Sequence, residues 1–492
     1  MYWTINQDSQ KYSNLSRISC AMILLYFVDI ITLGTGEVGK IGFLSSRILF
    51  FMLAGIFSLP LLWQQRKFLI HNRYVLAVSV FLLWVGISAV RGVLMHNPRD
   101  HIQGDVLGFL NYMLLPTMLC VFGSTQRKKL LTMVIAGCCL AGNVIIFILS
   151  FYASFSADQQ GLIYRYFVQN GFAGITQLDA KATRIFFHTL SRYLLIAYMI
   201  FLYKATIQDS PKKRIPWVVV MGFLMYGIFI SYTRGIYAGC VIAVVISYVI
   251  LVIKKNRYTT QFLNSVLSSV LVALVIIGSV SLYTHTNMIG TAVNRVMLAI
   301  NTTDSQEVTG EAENHGNENS ILSTEIHAGT NSALPTEAHA GTNSDYTDIA
   351  ESSGEAEQLN LDERQEKLRL LKASIARSPI IGNGLGSSIA LGDGRVEYSY
   401  YDVVNKMGII GLILFLFPFV LELIDVFRMK KSNVRCDCRS ALLRTLTVGS
   451  IAYFLVIAIF NPCMNTTLGI SAYLFSMVLF QNSDFLCIEE NK

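Results

Sequence analysis

Apolar runs of membrane-crossing length recur along this chain, and no other feature constrains its fold so strongly. A bilayer core takes about 20 apolar residues of helix to cross. Twelve such runs cover approximately 17–36, 43–64, 72–90, 105–122, 130–152, 186–204, 215–233, 235–253, 261–284, 402–427, 440–460 and 464–482. Backbone N–H and C=O groups in lipid must be satisfied within the protein, so runs of this length form helices. The expected fold is therefore all-α: a polytopic transmembrane bundle of about twelve spans. Composition agrees, because 14% of the residues are charged, against about 25% in a soluble globular chain. Most of the nine cysteines lie inside apolar runs, where they serve as small hydrophobes. Cys436 and Cys438 stand one residue apart with no second Cys or His pair nearby, a spacing that zinc does not favour. The first run exceeds a typical signal-peptide core and lacks a clear small-residue cleavage site, so it is expected to stay as a helix.

Basic residues of the short loops set the expected orientation. Arg66, Lys67 and Arg73 follow the second run, Arg127, Lys128 and Lys129 the fourth, and Lys212, Lys213 and Arg214 the sixth. Lys254, Lys255 and Arg257 follow the eighth, and Arg428, Lys430, Lys431, Arg435 and Arg439 the tenth. Each cluster comes after an even-numbered span, which puts both termini in the cytoplasm. The segments 91–104, 153–185, 231–235 and 285–401 then face outward. Three parts follow: spans one to nine over 1–284, an extracytoplasmic loop over 285–401, and spans ten to twelve over 402–492.

The large loop is divided by composition. From Asn301 to Glu363 it has no Lys or Arg, yet it holds fourteen of the chain's 32 acidic residues. The net charge of +7 therefore belongs to the apolar body and does not describe a nucleic-acid-binding surface. Thr324–Ser332 is nearly repeated by Thr336–Ser344, with His327 and His339 at matching places. Residues 301–360 read as a disordered, low-complexity insertion with too little apolar content to fold. Deleting them should leave expression and product formation largely intact, because shortening an open loop costs little; loss of product at normal protein level would assign the segment a direct role.

Order is expected from 361 to 401. Leu361, Leu368, Leu371 and Ile375 recur at helical spacing, with Arg364 on the same stripe. Pro379 ends that helix. Gly382, Gly384 and Gly386 then form a flexible turn whose backbone amides are either an anion cradle or a plain loop. Glu397 and Tyr398 follow, in an aromatic and ionisable stretch that enters the tenth span at the outer surface. Earlier in the chain, Ser231, Tyr232, Thr233 and Arg234 must form a tight turn, because spans seven and eight nearly touch.

These pieces together resemble the O-antigen ligase and polymerase family of bacterial glycan assembly. The resemblance rests on Arg364 with Pro379-Ile-Ile-Gly382-Asn-Gly384-Leu-Gly386 and Gly408-Ile-Ile-Gly411, on Ser231-Tyr-Thr-Arg234-Gly, and on the loop between spans nine and ten. Thr183-Arg184 and Asn294-Arg295 are similar to further basic positions of that family. Family ligases carry His followed by Asn, Ser or Gln eleven residues before the first glycine of the Gly-x-x-Gly pair; here Glu397 and Tyr398 stand there. The resemblance implies an enzyme of the bacterial inner membrane, with its active site outward, that takes an undecaprenyl-diphosphate-linked glycan. It also implies flippase and chain-length regulator proteins as partners, and neither a cofactor nor a metal.

Transfer of such a glycan needs cationic support for the leaving diphosphate, which the planar fork of arginine supplies bidentately. The attacking sugar hydroxyl needs a general base, a role open to a partly buried Glu. Arg234 and Arg364 are thus the expected diphosphate binders and Glu397 the expected base. Arg184, Arg295, Gly382, Gly384, Gly386 and Tyr398 are expected to bind substrate. Three functions compete: polymerisation of lipid-linked repeat units into a surface polysaccharide, ligation of a finished glycan to a lipid or wall acceptor, and transport of a lipid-linked sugar without covalent chemistry. A transporter would place ionisable residues near mid-membrane, whereas the conspicuous polar residues here gather at the outer edge.

Overall fold

A computed structural model describes residues 13–32, 40–41, 44–152, 167, 173–177, 183–187, 189–294, 297, 365–389, 398–429, 435–460 and 466–481. Its helices are α1 (Ser13–Thr32), α2 (Ser46–Gln64), α3 (Arg66–His71), α4 (Arg73–Leu94), α5 (Arg99–Leu110), α6 (Leu114–Val121), α7 (Thr125–Tyr152), α8 (Leu190–Thr206), α9 (Pro211–Ile230), α10 (Arg234–Ile253) and α11 (Thr259–Thr284). After these come α12 over 365–377, α13 (Ser399–Arg428), α14 (Arg435–Phe460) and α15 (Thr467–Gln481). The described elements also include a short helix over 288–294, a single 3-10 turn (Asn111–Met113) and two short antiparallel hairpins, β1–β2 (Lys40–Ile41, Leu44–Ser45) and β3–β4 (Ala173–Gln177, Thr183–Phe187). The second hairpin falls in a segment that carries no strand pattern strong enough to have been expected.

Ten of these helical stretches, among the described residues, are long and apolar enough to cross a membrane. Large apolar side chains on their outer faces, such as Leu83, Leu271, Leu282 and Ile413, lie exposed. Water would not tolerate so wide an apolar surface, whereas lipid covers it at no cost. The chain is an all-α bundle of the polytopic membrane kind. The sixth and twelfth expected spans are helices too, but α8 has 17 residues and α15 has 15. At 1.5 Å per residue both fall short of a core about 30 Å thick. Both are almost wholly buried, with Tyr193, Leu194, Leu202, Ile470 and Leu474 inaccessible. They form the bundle's centre, with protein rather than lipid on every side.

The helix pairs α4–α13 and α10–α14 run antiparallel. Along α4 and α13, Arg73 pairs with Asp425, and the Trp84 indole donates to the Met407 carbonyl at 3.0 Å. Farther along, Arg91 Nε donates to Gly382 O at 2.7 Å. Along α10 and α14, Gly239 lies against Tyr453, Gly449 against Ser247 and Ala243, and Asn256 donates to Cys438 O at 2.9 Å. Small residues at these contacts let the backbones come close. The Tyr400 hydroxyl donates to Leu455 O at 2.6 Å, tying the start of α13 to the far end of α14. The Ser231–Arg234 turn and the glycine turn therefore lie at the same end of the bundle. At the other end, Asn72 bonds Gln481 and Lys254 Nζ donates to Phe427 O and Met429 O. There the Asn72 side chain also caps α4, accepting from Tyr74 N and Val75 N.

Candidate functional site

The glycine turn is a structural joint. Gly408, with φ 70° and ψ −177°, breaks α13 in a conformation open essentially to glycine alone. A broken helix leaves backbone groups without intrahelical partners. The segment after α12 takes them up: Asn383 N donates to Asn405 O at 2.7 Å, and Gly384 N to Lys406 O at 3.0 Å. In return, Ile409 N donates to Pro379 O at 2.9 Å and Ile410 N to Ile380 O at 3.3 Å. The two motif pieces, Pro379-Ile-Ile-Gly382 and Gly408-Ile-Ile-Gly411, thus pair with each other.

The opposite side of the turn leans on α4 and α5. Leu385 N donates to Ser88 O at 2.9 Å, and Gly386 N to Asp105 Oδ2 at 2.8 Å. Asn97 Nδ2 donates to the carbonyls of Asn383, Gly384 and Leu385. Gly382, Gly384 and Gly386 all take positive φ, and a Cβ on Gly384 would lie 2.5 Å from Gly92 Cα. Gly382 N is itself used, donating to Ser378 O at 3.0 Å. The expectation of exposed amides that could cradle an anion is corrected here. Every N–H from Gly382 to Gly386 already has an acceptor in the protein.

A charge network, with Asp402 buried and Lys406 and Asp105 half-buried, sits beneath this joint. Lys406 Nζ lies 2.8 Å from Asp105 Oδ1 and 2.9 Å from Asp402 Oδ2. Removing one member of such a buried group strands its partners. Lys406→Met should destabilise the folded protein by roughly 3–5 kcal/mol, seen as a lower unfolding temperature in detergent; an unchanged unfolding temperature would show the network to be passive.

The arginines gather elsewhere at the same end. Arg184, on β4, donates through Nε to Ser231 O at 2.9 Å and through Nη2 to Thr233 Oγ1 at 3.1 Å. It therefore clamps the turn whose next residue is Arg234, the first residue of α10. Within that turn Tyr232 is buried and holds φ 43°, a conformation uncommon for a non-glycine residue. Arg184 and Arg192 both lie over the ring of Phe186, at 5.2 and 5.9 Å. Arg184 and Arg192 thus share one aromatic ring, and Arg184 holds the turn that leads into Arg234, at the N-terminal and so positive end of α10. Arg192 escaped the sequence reading because it lies inside the sixth apolar run, 186–204.

Tyr398 caps the start of α13, stands edge-on to Tyr401 at 6.1 Å, and packs on the Leu371–Ile389 cluster beside α12. Glu397 itself, with Arg364 and Arg295, lies outside the described residues, as does the 301–360 insertion.

Glu422 is a further group that the sequence reading passed over, although an acid inside the tenth apolar run was there to be seen. It is buried within α13, and neither carboxyl oxygen has a hydrogen-bond partner among the described residues. Searches of the chain against models of known protein families and against curated proteins find no match.

Proposed function

We propose that this protein is a membrane glycosyltransferase that polymerises undecaprenyl-diphosphate-linked repeat units into a surface polysaccharide. The observation that carries the proposal is the clamp of Arg184 on the turn that precedes Arg234. It fixes the turn that sets Arg234 at the N-terminal end of α10, where a guanidinium could grip a leaving diphosphate bidentately. The glycine joint adds support, because it holds α12 and the start of α13 at that same end of the bundle. In the proposed reaction Arg234 and Arg364 take the diphosphate, Arg184 holds the turn that places Arg234, and Glu397 removes the proton from the attacking sugar hydroxyl. The arginine end faces out of the cytoplasm and the end with the basic clusters faces in.

Glu397→Gln keeps the shape and removes the base, so transfer should fall about a hundredfold to ten-thousandfold. Glu397→His restores a base at that place and should retain more activity than the Gln variant. Polysaccharide recovered from cells that express equal amounts of each variant measures both. Polymer at the wild-type rate from Glu397→Gln would move the base elsewhere, with Asp402 the nearest described carboxylate along the chain.

Glu422 favours a second function. An unpaired acid inside a span is characteristic of transporters, and a lipid-linked sugar carrier would use one. The ligase alternative has no observation in the structure that favours it over polymerisation.

A further inference from the structure

Three buried polar side chains lie in sequence of contact on α13, on α15 and on the single turn Asn111–Met113 that joins α5 to α6, and among the described residues all three lack hydrogen-bond partners. Glu422 is 1% exposed, and Tyr473 and Tyr112 are each 2% exposed. Among the described residues neither Glu422 oxygen has a hydrogen-bond partner, and neither does either tyrosine hydroxyl. The Tyr112 and Tyr473 rings meet at 6.0 Å, and Phe419, one turn before Glu422, lies 4.2 Å from the Tyr473 ring. Tyr473 is in electrostatic reach of Glu422, Tyr112 and Tyr74.

Native interiors leave few polar groups unsatisfied, and a bound ion or water is a standard explanation when several occur together. One carboxyl with two hydroxyls offers only oxygen atoms and one negative charge. That set suits a single monovalent cation, and it lacks the several carboxylates that a divalent ion usually draws. We propose that Glu422, with the hydroxyls of Tyr473 and Tyr112, forms an exchangeable site inside the bundle for a monovalent cation, either a proton or a sodium ion.

A path to this site is built into the same helices. Asp425 lies one turn from Glu422 toward the end of α13, and its carboxylate accepts from the Tyr74 hydroxyl at 2.5 Å and pairs with Arg73. The side chain of Arg73 is 48% exposed and that of Asp425 13%, so the ladder runs from the surface inward to Glu422. By helix rise Glu422 is about 9 Å from the end of α13. In electrostatic reach of Glu422 are Asp425 on its own helix, Tyr74 on α4 and Tyr473 on α15; Arg73 pairs with Asp425, and the Tyr112 ring meets that of Tyr473. The next cation out is Arg444 of α14, stacked at 5.6 Å on Phe480, whose ring packs on Tyr74. Asp425 is thus already neutralised by Arg73, and the charge of Glu422 is left for a mobile partner to balance.

The test is chemical labelling of the purified, full-length protein with dicyclohexylcarbodiimide, an apolar reagent that attacks protonated carboxyls. Modification of Glu422 is read by peptide mass spectrometry, with Glu422→Gln as the blank. A proton site gives labelling that falls about tenfold per pH unit on the alkaline side of its midpoint and ignores sodium. A sodium site gives labelling that sodium chloride, but not choline chloride, suppresses at least about tenfold at fixed pH. Tyr473→Phe should weaken whichever dependence is seen, shifting its midpoint severalfold in cation concentration. Labelling indifferent to both pH and sodium would overturn the proposal, and so would a folded protein whose Glu422 never reacts while the denatured chain does. None of these readouts needs glycan transfer, so the cation site and the glycosyltransferase stand or fall separately.

Discussion

Arg234→Lys is expected to lower glycan transfer by about 30- to 1,000-fold while leaving the protein folded and in the membrane. Lysine keeps the positive charge but loses the planar fork, and a preorganised donor to a developing oxyanion is worth roughly 2–4 kcal/mol. Arg184→Lys should cost nearly as much for a different reason. Its guanidinium uses Nε and Nη2 to hold Ser231 O and Thr233 Oγ1, and a lysine cannot make both bonds from one point. The turn would loosen and Arg234 would lose its place. Because both act on one turn, the double variant should fall well short of the product of the two single effects. Transfer measured on equal amounts of protein tests this. Full activity in Arg234→Lys would exclude a forked grip on diphosphate at that position.

Gly408→Ala and Gly384→Ala should instead remove the folded protein. Gly408 holds a backbone conformation that costs any other residue of order 1–3 kcal/mol, and its new Cβ would lie 2.5 Å from Ile381 N. At Gly384 the new Cβ would press on the backbone of Gly92, where no side chain can turn aside. Strain and overpacking together come to roughly 3 kcal/mol or more, a large share of the stability of any single domain. Gly55→Ala is the control, since a Cβ there meets nothing within 4 Å. The readout is the fraction of detergent-extracted protein that elutes as a single, dispersed species. Comparable recovery of Gly408→Ala and Gly55→Ala would contradict the role given to the joint.

The spans were legible in the sequence because apolar length is the one signal that lipid imposes directly. Even so, α8 and α15 show its limit: an apolar run reports the absence of water and does not say whether lipid or protein replaces it. The tight turn before Arg234 was legible from the near contact of two runs. The glycine turn was legible as a turn, but its role was not, because the partners of its amides come from Ser88, Asp105, Asn405 and Lys406, which are distant in sequence. Pairing of Pro379-Ile-Ile-Gly382 with Gly408-Ile-Ile-Gly411 depends on a helix break that no local propensity announces. Arg192 and Glu422 were hidden by the apolar runs that hold them, since mean hydropathy over a window absorbs a single charge.

The most direct test supplies the purified protein, in lipid vesicles, with an undecaprenyl-diphosphate-linked repeat unit and follows the glycan by gel electrophoresis. A polymerase gives a ladder that grows with time, needs no nucleotide, and is lost with Arg234→Lys. An unlengthened glycan in the presence of active, folded protein, or one that only changes sides of the membrane, would contradict polymerisation.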